Sequence, residues 1–226
     1  MVSSAQTINH IPPNDGGVLQ LPFVVLHNVT WQTYQALLAD MGEHRSARLA
    51  YDRGTLEIKM PSKLHELINR LLERIITTLT EELGMNVLSL GSTTFDSEEV
   101  EQGVEPDSCF YIQNAERVNP EDPVPPKDFP PDLVVEVDIT SSSRSRLNIY
   151  KSMGVPEIWR YNRQGLAILQ LHQREYVECK YSSIFALLSA ESLENLLERG
   201  KQSNNHNSLI NELRMWLRNQ NNRTPQ

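Results

Sequence analysis

Carboxylates interrupt the most apolar stretch of this chain. In Pro131-Asp-Leu-Val-Val-Glu-Val-Asp-Ile139, the two-residue alternation of a β-strand puts Leu133, Val135, Val137 and Ile139 on one face. Asp132, Val134, Glu136 and Asp138 fall on the other. A central strand ordinarily carries Val or Ile there, because a buried carboxylate is costly unless paired, hydrogen-bonded or bound to a cation. An edge strand with one wet face would also carry such acids. A further acid, Asp107, follows Pro106 near the start of a second β-type run, Val104 to Ile112, where Asp107, Cys109 and Tyr111 share a face. His65 and Glu66 open the longest amphipathic segment, where capping and the helix dipole alone would account for Glu66.

Charge distribution sharpens this pattern. From Asp96 to Asp138 there are 13 acidic and 2 basic side chains, whereas Thr140 to Gly165 holds five basic residues and one acid, Glu157. An acidic segment followed by a basic one suits a divalent-cation site beside a phosphate-binding surface, although two solvated faces of opposite sign would look the same. The net charge of −8 argues against coating nucleic acid by bulk electrostatics. Two cysteines, Cys109 and Cys179, make neither a disulfide framework nor a zinc site. His10, His27, His44, His65, His172 and His206 show no zinc spacing, and neither a phosphate-cradling glycine loop nor a serine-nucleophile elbow occurs. With no signal-peptide pattern and no apolar run of about 18 residues, a soluble cytoplasmic protein is expected, with no membrane partner.

The elements that must position these residues follow from periodicity and punctuation. Residues 1–28 are polar and rich in Pro and Gly, and read as a poorly ordered lead-in. Thr30 caps a helix through Met41, and Asp52-Arg-Gly54 turns a β-hairpin between Ala47–Tyr51 and Thr55–Met60. Ser62 caps a long helix to about Leu83, stopped by Gly84. A Pro-rich loop, 119–131, leads into the acidic strand. A basic helix runs to Met153, and strands near 155–161, 166–171 and 175–181 form a meander. Residues 29–199 thus read as one domain, and 200–226 as a polar linker with a last amphipathic helix.

The order Pro-Asp on a strand, Glu-x-Asp on the next, then a basic helix resembles the PD-(D/E)XK nuclease superfamily. More narrowly, the chain resembles the Uma2 group of endonucleases, abundant in cyanobacteria. The resemblance is carried by Asp52-Arg-Gly-Thr-Leu-Glu57, Pro61 to Glu66, Gly91-Ser-Thr-Thr-Phe95, Glu105-Pro-Asp107, Pro130 to Asp138 and Gly154-Val-Pro-Glu-Ile-Trp-Arg-Tyr161. It implies an α/β, restriction-endonuclease-like core with a mixed central β-sheet flanked by helices. It also implies Mg²⁺ or Mn²⁺ held by Asp107, Glu136 and the carbonyl of Val137, with Glu66 as an accessory carboxylate and DNA as substrate. The lysine expected two residues after Glu136 is replaced by Asp138. The resemblance moves the basic role to Arg146, four positions before Tyr150; Lys151, one residue past the Tyr and around the helix from Arg146, is a poorer alternative. Asp138 and His65 are further accessory candidates. A homodimer suits cleavage of two antiparallel strands. Two other readings compete: a nuclease fold that binds nucleic acid or protein without cleaving, favoured by Arg146 in place of Lys, and a metal-free carboxylate-pair glycosidase.

Overall fold

The computed structural model describes residues 23–42, 46–122, 125–126, 129–139 and 144–221. In chain order these form β1 (Phe23–His27), α1 (Trp31–Met41), β2 (Arg48–Asp52), β3 (Thr55–Lys59), α2 (Lys63–Leu83), β4 (Leu88–Gly91), β5 (Phe95–Ser97) and β6 (Gln102–Val104). There follow β7 (Ser108–Tyr111), a 3₁₀ turn at Ala115–Arg117, β8 (Leu133–Asp138), α3 (Arg144–Met153), β9 (Glu157–Asn162), β10 (Gly165–His172), β11 (Glu175–Cys179), α4 (Ala190–Gln202) and α5 (His206–Asn221).

Two sheets share the strands. One is antiparallel, in the order β1-β3-β2-β6-β5, and the other is mixed, in the order β11-β10-β9-β8-β7-β4. The mixed sheet has one parallel pair, β8 with β9, joined by α3 as a β-α-β crossover. The β2–β3 hairpin closes through Arg53 and Gly54, both at positive φ (43° and 96°), as a two-residue turn requires.

The core explains why β8 needs no wet face. Its Leu133, Val135 and Val137 pack against Ile68, Leu72, Ile75 and Ile76 of α2, while Val134 joins Ile149 and Tyr150 of α3 on the opposite side. Every residue of β8 is buried between β7 and β9, so the edge-strand alternative fails and the acids of this strand lie inside the molecule.

Three boundaries differ from the sequence reading. Residues 23–27, counted there with the lead-in, form β1 and pair along β3 from Phe23↔Lys59 to His27↔Thr55. Val104 to Ile112 is not one strand: β6 ends in the antiparallel sheet and β7 begins in the mixed one, so Glu105-Pro106-Asp107 bridges the two sheets. The polar linker shrinks to residues 203–205, and Leu209, Ile210, Leu213 and Leu217 of α5 enter the same core as α2. Arg214 and Arg218 of α5 both clamp Glu82, and these bonds hold its carboxyl down at about 2. The expected lead-in up to residue 22, the helix caps at 140–143 and the tail at 222–226 lie outside the described residues.

Candidate active site

The junction between the sheets gathers the charged residues. Asp107, at the end of the bridge, accepts from the backbone N–H of Val137 on β8 at 2.7 Å, and its own carbonyl accepts from Asn69 of α2 at 3.1 Å. One carboxylate is thereby fixed relative to both β8 and α2. Glu136 projects from the other face of β8 with its carboxylate wholly buried. Tyr150 donates to Glu136 Oε1 at 2.5 Å, and Arg146 Nη2 lies 2.9 Å from Oε2 and 3.3 Å from Asp138 Oδ1. Arg146 and Tyr150 are four residues apart on α3, so one helix face delivers both to the same acid. His65 Nε2, in the first turn of α2, lies 2.9 Å from Asp107 Oδ2.

Asp107, Glu136, Arg146, Asp138, His65 and the carbonyl of Val137 therefore converge, although the sequence scatters them over some 80 residues. Two candidates do not join them. Glu66 faces outward, its side chain 41 % exposed, and lies 3.6 Å from the far nitrogen of His65. Lys151 points away and pairs with Glu175 of β11 at 3.1 Å. Of the two basic residues, Arg146 reaches the cluster and Lys151 does not.

One residue at the centre was missed. Lys59, the last residue of β3, is 2 % exposed, and its Nζ donates to the Val137 carbonyl at 2.8 Å and to Asp107 Oδ2 at 3.0 Å, with Glu136 Oε2 4.0 Å away. Its signal lay in the hairpin register. Lys59 stands directly opposite Arg48, and like charges on facing strands repel unless one is drawn elsewhere.

Burial and charge divide the two acids. Burial opposes ionisation of Asp107, but the charges and bonds of Lys59 and His65, with Arg146, outweigh it and hold that carboxyl far below the usual range. Burial dominates at Glu136: against the pull of Arg146 and Lys59, and helped by the charge of Asp107, it pushes the carboxyl up to about 7. The same burial, with Glu136 alongside, raises the Tyr150 phenol well above its normal value. Paired acids whose environments drive their proton affinities apart are a mark of functional sites.

A pH dependence follows. An unfolded glutamate titrates near 4.3, so between about pH 4.3 and pH 7 the folded protein holds a proton that the unfolded chain has released. Folding stability from Glu136 is then full at the acid end of that window and falls as pH rises through it. Relative to Glu136→Gln, the metal-free wild-type protein is expected to lose on the order of 2 kcal/mol of unfolding free energy between about pH 5 and pH 7.5. Urea unfolding of both proteins at the two pH values measures this. A second prediction concerns the start of α2, where the Ser62 side chain accepts from the His65 N–H at 3.2 Å. Ser62→Ala is expected to cost about 1 kcal/mol in thermal or urea unfolding.

The oxygens of Asp107, Glu136 and Val137 are the set that a hard divalent cation takes, and the test of fit is that they already surround a cation, the Lys59 ammonium. Among the described residues, no three His, Cys, Asp or Glu side chains stand together ready to hold a metal. No helix is long and apolar enough to cross a membrane among those residues.

Comparison with known proteins bears on the fold and the family. A crystal structure from Anabaena variabilis, of "a putative nuclease belonging to DUF820", superposes with a TM-score of 0.52 at 16 % identity, covering 75 % of this chain and 99 % of that one. The likeness establishes a restriction-endonuclease-like α/β fold. No curated protein matches the chain significantly. The family model Uma2, described as "Putative restriction endonuclease", matches residues 31–202, the span from α1 to the end of α4 that contains every residue of the cluster. The chain belongs to the Uma2 family.

Proposed function

We propose that the protein is a Mg²⁺- or Mn²⁺-dependent endonuclease that hydrolyses DNA phosphodiester bonds. The observation that carries this reading is the convergence of Asp107, Glu136 and the Val137 carbonyl on one cation position, with Arg146 beside it. Asp107, Glu136 and the Val137 carbonyl would hold the metal. When bound, it would lower the pKa of a coordinated water and neutralise charge on the scissile phosphate.

The remaining roles belong to the chain itself. Asn69 and the Val137 N–H fix Asp107, so its carboxylate is preorganised before substrate arrives. Tyr150 and Arg146 hold the two oxygens of Glu136 and set the direction in which that carboxylate faces. Arg146 keeps its proton at any working pH, so it acts as fixed positive charge toward a phosphate rather than as a proton donor. A two-fold symmetric dimer would present two such sites to the two strands of a duplex.

A second reading is favoured by one observation, the Lys59 ammonium seated on the same oxygens. If it never leaves, the protein binds nucleic acid without cutting it. Incubation of the purified protein with supercoiled plasmid and Mg²⁺ or Mn²⁺, with and without EDTA, decides between them. Nicking that EDTA abolishes is expected. Absence of nicking by folded protein with every divalent metal, while the plasmid is still retarded in a gel, establishes the second reading instead.

A further inference from the structure

We propose that Lys59 is a built-in occupant of the cation position: its ammonium and a divalent ion exclude one another, and the ion enters only as Lys59 withdraws. The inference rests on the nuclease reading in one respect, that these oxygens take a divalent cation.

Geometry makes the two occupants alternatives. The ammonium lies 2.8 Å from the Val137 carbonyl and 3.0 and 3.3 Å from the two oxygens of Asp107, the donors that the ion would need. Each of these oxygens is turned toward Nζ, and the Lys59, Asp107 and Glu136 side chains are at most 3 % exposed. Both cations would have to take the same oxygens of Val137 and Asp107. Electrostatics supplies the reason for a resident. Two buried carboxylates side by side are stabilised by positive charge, and without a metal Lys59 adds its charge to that of Arg146. A divalent ion brings twice the charge to the same oxygens and displaces the ammonium once its dehydration is met.

The chain also gives Lys59 somewhere to go. It is the final residue of β3 and is itself buried, but the next residue, Met60, is 47 % exposed, so the surface lies one residue away along the chain. The flexible four-carbon stem can swing Nζ outward without moving the strand.

The test measures Mn²⁺ binding without DNA, by calorimetry or by the electron paramagnetic resonance signal of free Mn²⁺, on the full chain. Removing the resident removes its competition, and Lys59→Met is expected to bind Mn²⁺ about ten-fold or more tightly than wild type. Lys59→Arg, which keeps a cation, should not show the gain, and adding Glu136→Gln to Lys59→Met should abolish it. Equal or weaker Mn²⁺ binding by folded Lys59→Met overturns the proposal.

Amine labelling of the wild-type protein with peptide mapping keeps the test open if that variant fails to fold. Lys59 should be protected without metal and become reactive as Mn²⁺ saturates the site, while Lys63 and Lys151 keep their rates. Unchanged Lys59 labelling in protein saturated with Mn²⁺ is equally contrary. Failure of these measurements in a protein that nicks plasmid with metal sinks only the exclusion of the two cations. Absence of both Mn²⁺ binding and nicking, in wild type and Lys59→Met alike, removes the nuclease reading with it.

Discussion

Replacing Arg146 by methionine is expected to lower the unfolding free energy by about 3–5 kcal/mol near pH 7.5. The guanidinium is 3 % exposed and lies 2.9 Å from Glu136 Oε2 and 3.3 Å from Asp138 Oδ1. Its removal leaves the buried Glu136 carboxylate with the Tyr150 hydroxyl and a lysine 4.0 Å away. The loss arises from an uncompensated buried charge rather than from the worth of one pair, so Arg146→Lys should recover part of it and acidification should shrink it as Glu136 takes up a proton. In urea, the midpoint should fall while the slope stays that of wild type. A cost below about 1 kcal/mol would mean that Glu136 is not charged in the native state or that water reaches it.

Asp107→Asn is expected to reduce DNA cleavage by about a hundred-fold or more with little change of shape. An amide still accepts from the Val137 N–H and is nearly isosteric, but it lacks the charge that meets both Lys59 and His65. It also offers a hard cation one neutral oxygen in place of a carboxylate. Rates measured on the same plasmid at saturating metal should show the loss in turnover, whereas gel retardation of DNA should be close to wild type. Equal loss in binding and turnover would place Asp107 on the substrate-binding surface instead.

Much of this site was legible because the strand period is strict. Alternation along 131–139 puts Glu136 and Asp138 opposite the aliphatic strip, and the structure buries both sides of that strand. Arg146 comes from the family resemblance alone, and the structure supplies the physical reason: residues four apart share a helix face, so Arg146 and Tyr150 both reach Glu136. Lys59 was not legible in the same way. Its role depends on the antiparallel sheet laying the end of β3 against the Val137 carbonyl, 78 positions later, and no local pattern encodes that approach. Glu66 shows the opposite failure. Its place beside His65 fits the block that carries the family resemblance, but a first-turn acid at that angle of α2 serves the helix dipole and faces solvent. The split of Val104 to Ile112 was hidden because Pro106 interrupts the pattern by one donor only, and a strand can cross between sheets at such a point.

The measurement that tests the central claim most directly is nicking of supercoiled plasmid by wild type and Glu136→Gln at equal concentration, in Mg²⁺ or Mn²⁺, with EDTA as control. Wild type should convert supercoiled to open-circular DNA only with metal, and the variant, folded by circular dichroism, should be slower by about a hundred-fold or more. Metal-dependent nicking at the same rate in both proteins would contradict the assignment of the buried cluster as the active site.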